Sequence, residues 1–318
     1  MAPVDSFEQI RLQVTTNCFD SPNTSPNIST FLDRSPIMSS KGSVLITGCS
    51  DAGAGSAMVI AFQSQGYRVF ATSRNMNTMS KVETLPNVRL LQLDVTKSAD
   101  IQAATDVVRE ETSGTLTFLI NCAARNHFMP LLDEDIEAGK ALYDTNVWGP
   151  LAVTQSFAPL LIKAKGTVVF ITSLSGYLNV PYQGTFAATK RSEEIMAETL
   201  RLELAPFHVN VLSVVTGALK TRGQSHFDDW KLPEGSLYKP VEPTISDRAR
   251  GKEGAPRMEA ADYAERVVSE IIKGKTGKFW YGASAGVVKF GTTWLPTSLV
   301  DSGVKINTGL EVLAEQNK

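Results

Sequence analysis

The chain has 318 residues, 42% of them hydrophobic and 20% charged, enough apolar material to bury a core of domain size. The net charge of −2 excludes the broad positive field that nucleic acid or anionic lipid would need. Three cysteines, Cys18, Cys49 and Cys122, show neither paired nor metal-ligand spacing, so neither a disulfide framework nor a metal centre is expected, and a reducing, cytoplasmic setting suits them.

The first residues, "MAPVDSFEQIRLQ", lack the cationic start and apolar stretch of a signal peptide, and no apolar run is long enough to span a bilayer. Residues 1–41 read as a disordered leader, because "VTTNCFDSPNTSPNISTFLDRSPIMSSK" is rich in Ser, Thr, Asn and Pro and has no apolar period. From 42 to 318 apolar and amphipathic runs alternate. "SVLITG" (43–48) is a short apolar strand, Ala57 to Gln65 a helix ended by Gly66, and "YRVFATS" (67–73) the next strand. The pattern continues with strands at 88–95, 116–123, 166–173, 208–215 and 277–282, and with helices near 98–112, 134–146, 148–164, 185–204 and 260–273. Strands this uniformly apolar are buried on both faces, and intervening helices supply right-handed crossovers. The expected fold is α/β: a single Rossmann-type domain with a doubly wound parallel sheet.

"ITGCSDAGAGSA" (46–57) follows the first strand and opens the first helix. Glycines there let the backbone approach a pyrophosphate whose charge meets the helix N-terminus, so Gly48, Ser50, Asp51, Gly53 and Gly55 are candidate cofactor residues; a ligand-free flexible loop is the plainer reading. The second strand ends "ATSRN", with Arg74 where an NAD site usually carries an acid, which points to the 2′-phosphate of NADP(H) unless Arg74 is only a surface cation. Asp94 closes the third strand, where its carboxylate can accept from an adenine amino group or merely cap a helix; Val95 follows it.

"TGCSDAGAG", "LDVT", "NCAA", "NVWG", "ITSLSG", "FAATK" and "TGALKT" occur in the order and spacing of the short-chain dehydrogenases/reductases, and this resemblance covers about residues 43–282. The glycine turn and the run "VFAT" to an arginine are most similar to fungal NADPH-dependent 1-acyl-dihydroxyacetone-phosphate reductase-like members. Ala52 stands where such relatives usually have glycine, Ala124 and Thr216 where glycine and proline are usual.

The resemblance implies a Ser, a Tyr, a Lys and an Asn at the active site, and matches them to Ser173, Phe186, Lys190 and Asn146. It implies that Asn121 and Ala123 lie beside the cofactor, that Gly217 and Thr221 grip its nicotinamide end, that Lys190 also holds the ribose, and that the chain is a homodimer. Only the tyrosine is missing, and a phenyl ring has no proton to give. Three explanations stay open: an engineered Tyr-to-Phe variant, a reductase with a substitute acid, or a protein that uses the pocket without redox chemistry, as a cyclase, isomerase or NADPH-binding pseudoenzyme. Tyr182, Tyr177, His127 and Ser175 are the candidate substitute acids; Tyr182 is four residues before Phe186, with a packing tyrosine as its plainer reading.

Residues 223–256 form a long polar segment after the sixth strand, expected to be a mobile substrate lid. Phe227, Trp230, Leu232 and Tyr238 in it suggest an apolar lining for a lipid-like or polycyclic small molecule. The tail 286–306, with Val287, Val288, Phe290, Trp294, Leu295 and Leu299, reads either as a peripheral lipid or subunit contact or as core packing.

Overall fold

A computed structural model describes residues 40–316 and 318, so all but the last two residues of the expected leader lie outside the described residues. Strands β1 (Ser43–Ile46), β2 (Arg68–Ser73), β3 (Val88–Gln92), β4 (Phe118–Asn121), β5 (Thr167–Ser173), β6 (Asn210–Thr216) and β9 (Gly277–Tyr281) form a seven-stranded sheet. The remaining strands, β7 (Leu219–Lys220) and β8 (Met258–Glu259), pair only with each other. Every neighbour pair in the large sheet is parallel, in the order β3-β2-β1-β4-β5-β6-β9. The strand order reverses between β1 and β4, and ligands of such sheets bind outside the carboxyl ends of the strands at that reversal.

The core explains why the central strands carry no polar face. Val44, Ile46, Val69, Ala71, Phe118, Ile120, Val169 and Ile171 pack on one side, against α1 (Ala54–Ser64) and α7 (Ala260–Ile272). Their immediate neighbours Leu45, Phe70, Leu119, Val168 and Phe170 pack on the other, against α2 (Ser98–Glu111), α4 (Gly149–Ala164) and α5 (Gly184–Glu203). Successive side chains of a strand point to opposite faces, so a sheet covered by helices on both sides needs apolar residues at every position.

The helix expected over 134–146 is broken into parts. A 3₁₀ turn at Leu131–Asp133 precedes α3 (Ile136–Tyr143), and Asp135 caps α3 by accepting from the Glu137 N–H at 2.9 Å. A π-turn at Asp144–Trp148 then runs directly into α4. Two residues make this joint: Pro150 has no N–H to offer the Asn146 carbonyl four residues back, and Gly149 sits against Val95, whose Cγ2 would lie 2.7 Å from an added Cβ.

The segment over 223–256 folds as short helical pieces, including α6 (Glu242–Ala249). Its aromatic residues do not line the cleft as the sequence suggests. Phe227 stacks edge-on against Phe128, the Trp230 indole N–H donates to the Phe128 carbonyl at 2.7 Å, and Leu232 packs with Tyr182, Val241 and Ile245. Phe227 and Leu232 are buried and Trp230 partly so, and all three anchor the segment. Beyond β9, α8 (Ala285–Trp294) and α9 (Thr297–Val304) leave Val287, Phe290, Trp294, Leu295 and Leu299 exposed, and a final helix, α10, spans Leu310–Gln316. Among the described residues no helix is long and apolar enough to cross a membrane.

Candidate active site

A cleft of about 1010 Å³ opens at the carboxyl ends of β1, β2, β4, β5 and β6. At its β1 end Gly48 takes φ +75°, and a Cβ there would lie 2.7 Å from the Ala123 Cα. Gly55, in the first turn of α1, passes the Gly48 carbonyl so closely that a Cβ would sit 2.4 Å from its oxygen. The two glycines therefore close the turn against β4. Gly53 is the N-cap of α1, offers no side-chain cap, and no acid follows in the first turn, so the helix presents unpartnered N–H groups and a positive dipole end to the cleft.

Ala52 adopts φ +59°, a left-handed conformation in which glycine is favoured. This is the physical content of its departure from the resembled pattern. Ala52→Gly is expected to stabilise the chain by about 0.5–1 kcal/mol, read as a thermal midpoint raised by a few degrees.

The neighbouring polar residues divide between the cleft and the scaffold. Ser50 bonds to the Ser73 and Thr78 hydroxyls at 3.1 and 2.9 Å. The Asp51 carboxylate accepts from the Ser80 hydroxyl at 2.7 Å and the Lys81 N–H at 3.1 Å; burial opposes its ionisation, but these bonds hold its carboxyl below the usual range. Asp94 spends Oδ1 on the N–H and hydroxyl of Thr96, at 3.0 and 2.8 Å, in a local turn and not as the helix cap of the plainer reading, since the N-cap of α2 is Lys97, while it remains on the cleft wall with Val95. Arg74 is exposed on the same wall.

Thr47, which the sequence reading passed over, fastens β1 to the end of β4: its hydroxyl accepts from the Cys122 and Ala123 N–H groups, each at 3.0 Å. The Asn121 amide donates to the Thr154 hydroxyl at 3.0 Å and leaves its buried Oδ1 without a partner among the described residues. On the opposite wall Gly217 donates to the Tyr281 carbonyl at 2.9 Å, and Thr221 caps the following turn by accepting from the Gly223 N–H at 3.3 Å. Thr216, in place of a proline, bonds to the buried Tyr263 hydroxyl at 2.7 Å.

Ser173 ends β5, and Phe186 and Lys190 share one face of α5, so that all three line the cleft. Ser173 Oγ accepts from the Ser175 N–H at 3.2 Å and from its hydroxyl at 2.8 Å, which leaves the Ser173 proton free to donate outward. Asn146 is fully buried in the π-turn. It accepts from the Arg125 N–H at 2.8 Å and donates to the Arg125 carbonyl at 2.9 Å and to the Thr189 hydroxyl at 3.1 Å, so its side chain fixes the loop after β4 and α5 rather than facing a ligand.

Of the substitute acids, Tyr182 is turned away: it is buried, takes φ +68°, and donates its hydroxyl to the Thr308 carbonyl at 3.1 Å outside the cleft. Tyr177 packs against Trp280 with tilted rings whose centroids are 4.6 Å apart, and His127 is held by both Glu134 oxygens at 2.8 and 3.0 Å. Neither lines the cleft; Ser175 does. The sequence reading also passed over Glu193, which bonds to Lys190 at 2.7 Å. Its signal is the spacing of "KRSEE", since a residue three after Lys190 lies on the same helix face.

A dinucleotide fits this cleft on observations of its own: a turn no Cβ could enter, an uncapped helix N-terminus aimed at it, and an exposed arginine at the end of β2. Among the described residues no cluster of His, Cys, Asp or Glu could hold a metal ion.

The model of the short chain dehydrogenase family matches residues 42–232. The chain is 40% identical over 258 residues to the short-chain dehydrogenase ptmH of Penicillium ochrochloron, covering 81% of this chain and 94% of that one. It is 34% identical over 233 residues to the NADPH-dependent 1-acyldihydroxyacetone phosphate reductase of Schizosaccharomyces pombe, covering 72% and 78%. Among solved structures, a short chain dehydrogenase from Burkholderia cenocepacia in complex with NADP superposes with TM-score 0.66 at 24% identity, covering 84% of this chain and 98% of that one. One from Streptomyces avermitilis superposes with TM-score 0.70 at 23% identity, covering 88% and 100%. Those structures share the fold, and the sequence matches carry the kinship: the chain belongs to the short-chain dehydrogenase family.

Proposed function

We propose that the chain binds NADPH in the cleft and reduces a ketone on a small molecule with an apolar skeleton, at a rate held down by the missing hydroxyl at Phe186. The observation that carries this reading is the meeting of Ser173, Phe186 and Lys190 on one wall of a cleft whose far end is the Gly48 turn and the α1 N-terminus. NADPH, when bound, supplies a hydride; the protein supplies position and protons. Backbone N–H groups at the start of α1 receive the pyrophosphate, Arg74 meets the 2′-phosphate, Asp94 and Val95 border the adenine, and Asn121, Ala123, Gly217 and Thr221 flank the nicotinamide end. Ser173 donates to the substrate carbonyl and so polarises it. Phe128, Leu174 and Phe186 offer apolar surface beside this point.

Arg74→Ala is expected to weaken NADPH binding about 10–100-fold and to leave NADH binding unchanged, because one charge-assisted contact is worth about 1.5–3 kcal/mol. Calorimetric titration with both nucleotides checks it, and equal losses for the two would assign the arginine no part in discrimination. Failure of NADPH and NADP⁺ alike to bind the purified chain would overturn the whole reading.

Three further elements belong to the same proposal. The segment 223–256 acts as the substrate lid, α4 and α5 form a homodimer contact, and α8 and α9 rest on a lipid surface through Phe290 and Trp294, which are 60% and 73% exposed. Sedimentation of the chain at micromolar concentration and flotation with phosphatidylcholine vesicles test the last two.

A further inference from the structure

Helix α5 turns Lys190 and Glu193 toward the sheet, where they are 4% and 2% exposed. The Lys190 ammonium donates to the Glu193 carboxylate at 2.7 Å and to the Ile171 carbonyl at 3.0 Å. Lys190 borders the cleft beside Phe186, whereas Glu193 does not reach it. Buried ion pairs are poor devices for stability, because stripping water from both charges costs several kcal/mol per ion. Glu193 is therefore an acid sealed inside the fold, with Lys190 between it and the cleft.

The groups around Glu193 define its state. Glu194 follows it on α5, and its carboxylate accepts from the Thr172 and Ser213 hydroxyls at 3.0 and 2.6 Å while Lys278 of β9 lies 3.3 Å from its other oxygen. Cys122, after β4, lies near enough to Lys190 and Glu193 to feel both charges, and near Tyr263 of α7. Burial pushes the Cys122 thiol up to about 12 and the Tyr263 hydroxyl higher still, so both stay protonated. Burial also pushes the Glu193 carboxyl up to about 7, against the pull of Lys190 and with a further push from the Glu194 charge. Of the Glu193, Cys122 and Tyr263 protons, it is that of Glu193 that burial brings near neutral pH.

We propose that the Lys190–Glu193 pair supplies the proton that a tyrosine at position 186 would supply, with Lys190 delivering it at the cleft wall and Glu193 restoring it from behind. The proposal rests on the reductase reading above. It moves one proton and no electrons. When hydride from the reduced nicotinamide has reached the carbonyl carbon, an N–H bond of the Lys190 ammonium breaks and an O–H bond forms on the substrate oxyanion. The neutral amine then takes the proton of the Glu193 carboxylic acid, and the carboxylate is reprotonated through Lys190, which recovers a proton from water in the cleft, so each alcohol formed consumes one solvent proton. Glu193 acts through Lys190 and is a positioning residue in this sense. Because its protonated form is the one that works, turnover falls as pH rises through about 7.

The test has a binding-free arm and a kinetic arm. Infrared titration of the full chain without nucleotide is expected to show a buried carboxyl losing its proton near pH 7, absent from Glu193→Gln and displaced in Glu193→Asp. A Glu193 ionised throughout the range from about pH 5 to 9 overturns the proposal. With NADPH and a ketone, Glu193→Gln is expected to lower kcat about 100-fold without weakening nucleotide binding. Glu193→Asp should retain part of the rate, and Phe186→Tyr in the Glu193→Gln background should restore it, since the phenol then carries the proton. A Glu193→Gln rate within threefold of the parent overturns the proposal and leaves the reductase reading standing. A loss that tyrosine does not restore marks a structural role and overturns it too. A chain silent both as it stands and as Phe186→Tyr sinks the reductase reading and the proposal together.

Discussion

Phe186→Tyr is expected to raise the rate of NADPH-dependent ketone reduction by about 10²–10⁴-fold, the usual worth of a positioned general acid. The substitution adds one oxygen to a ring that already lines the cleft in the first turn of α5. Ser173 stands on the same wall with its proton free, and Lys190 lies one helical turn on, so a hydroxyl introduced there finds the partners that tune and direct it. Glu193 tempers the effect: its carboxylate, 2.7 Å from the Lys190 ammonium, offsets part of the positive charge that would lower the phenol pKa. The gain should therefore lie toward the lower end of the range and be largest above neutral pH, where the Lys190–Glu193 pair of the parent chain no longer supplies the proton. Following NADPH absorbance against a ketone panel for both chains checks the magnitude. An unchanged rate at every pH would mean that the proton is not limiting or that the cleft does not reduce ketones.

Gly55→Ala is expected to abolish nucleotide binding and to destabilise the fold by about 1–3 kcal/mol, the range for forcing extra carbon into a packed site. The added Cβ would lie 2.4 Å from the Gly48 carbonyl oxygen and 2.9 Å from its carbon, both backbone atoms with no rotamer to escape into. Relief requires the turn to open, and Gly48 is itself confined by Ala123 at 2.7 Å, so the displacement passes to the end of β4. The amide groups at the start of α1 would then no longer converge on one phosphate. Calorimetry with NADPH and a thermal melt read the two effects separately. A variant that binds NADPH within threefold of the parent would show that this turn is not where the pyrophosphate rests.

Strand and helix placement were largely legible in the residues, for a reason visible in the core: a sheet covered on both faces requires unbroken apolar runs, and residues such as Val44-Leu45-Ile46 supply both layers at once. The glycine turn was legible because backbone crowding permits few residue types at Gly48 and Gly55. Ser173, Phe186 and Lys190 were legible only through the family resemblance, which the end of β5 and one face of α5 then accommodate.

What only the tertiary structure decided is where polar groups point and what they already hold. Tyr182 has the composition of a substitute acid, but a left-handed backbone and the Thr308 carbonyl, 126 residues away in the chain, claim its hydroxyl. Phe227, Trp230 and Leu232 have the composition of a ligand lining, but burial against Phe128 and Tyr182 is the larger gain, and they became anchors. Glu193 looks like any surface acid of a helix until the sheet closes over it, after which the loss of water and a single lysine partner determine its chemistry. Periodicity and backbone sterics are local and act along the chain; burial and hydrogen-bond ownership are settled among residues that meet only after folding.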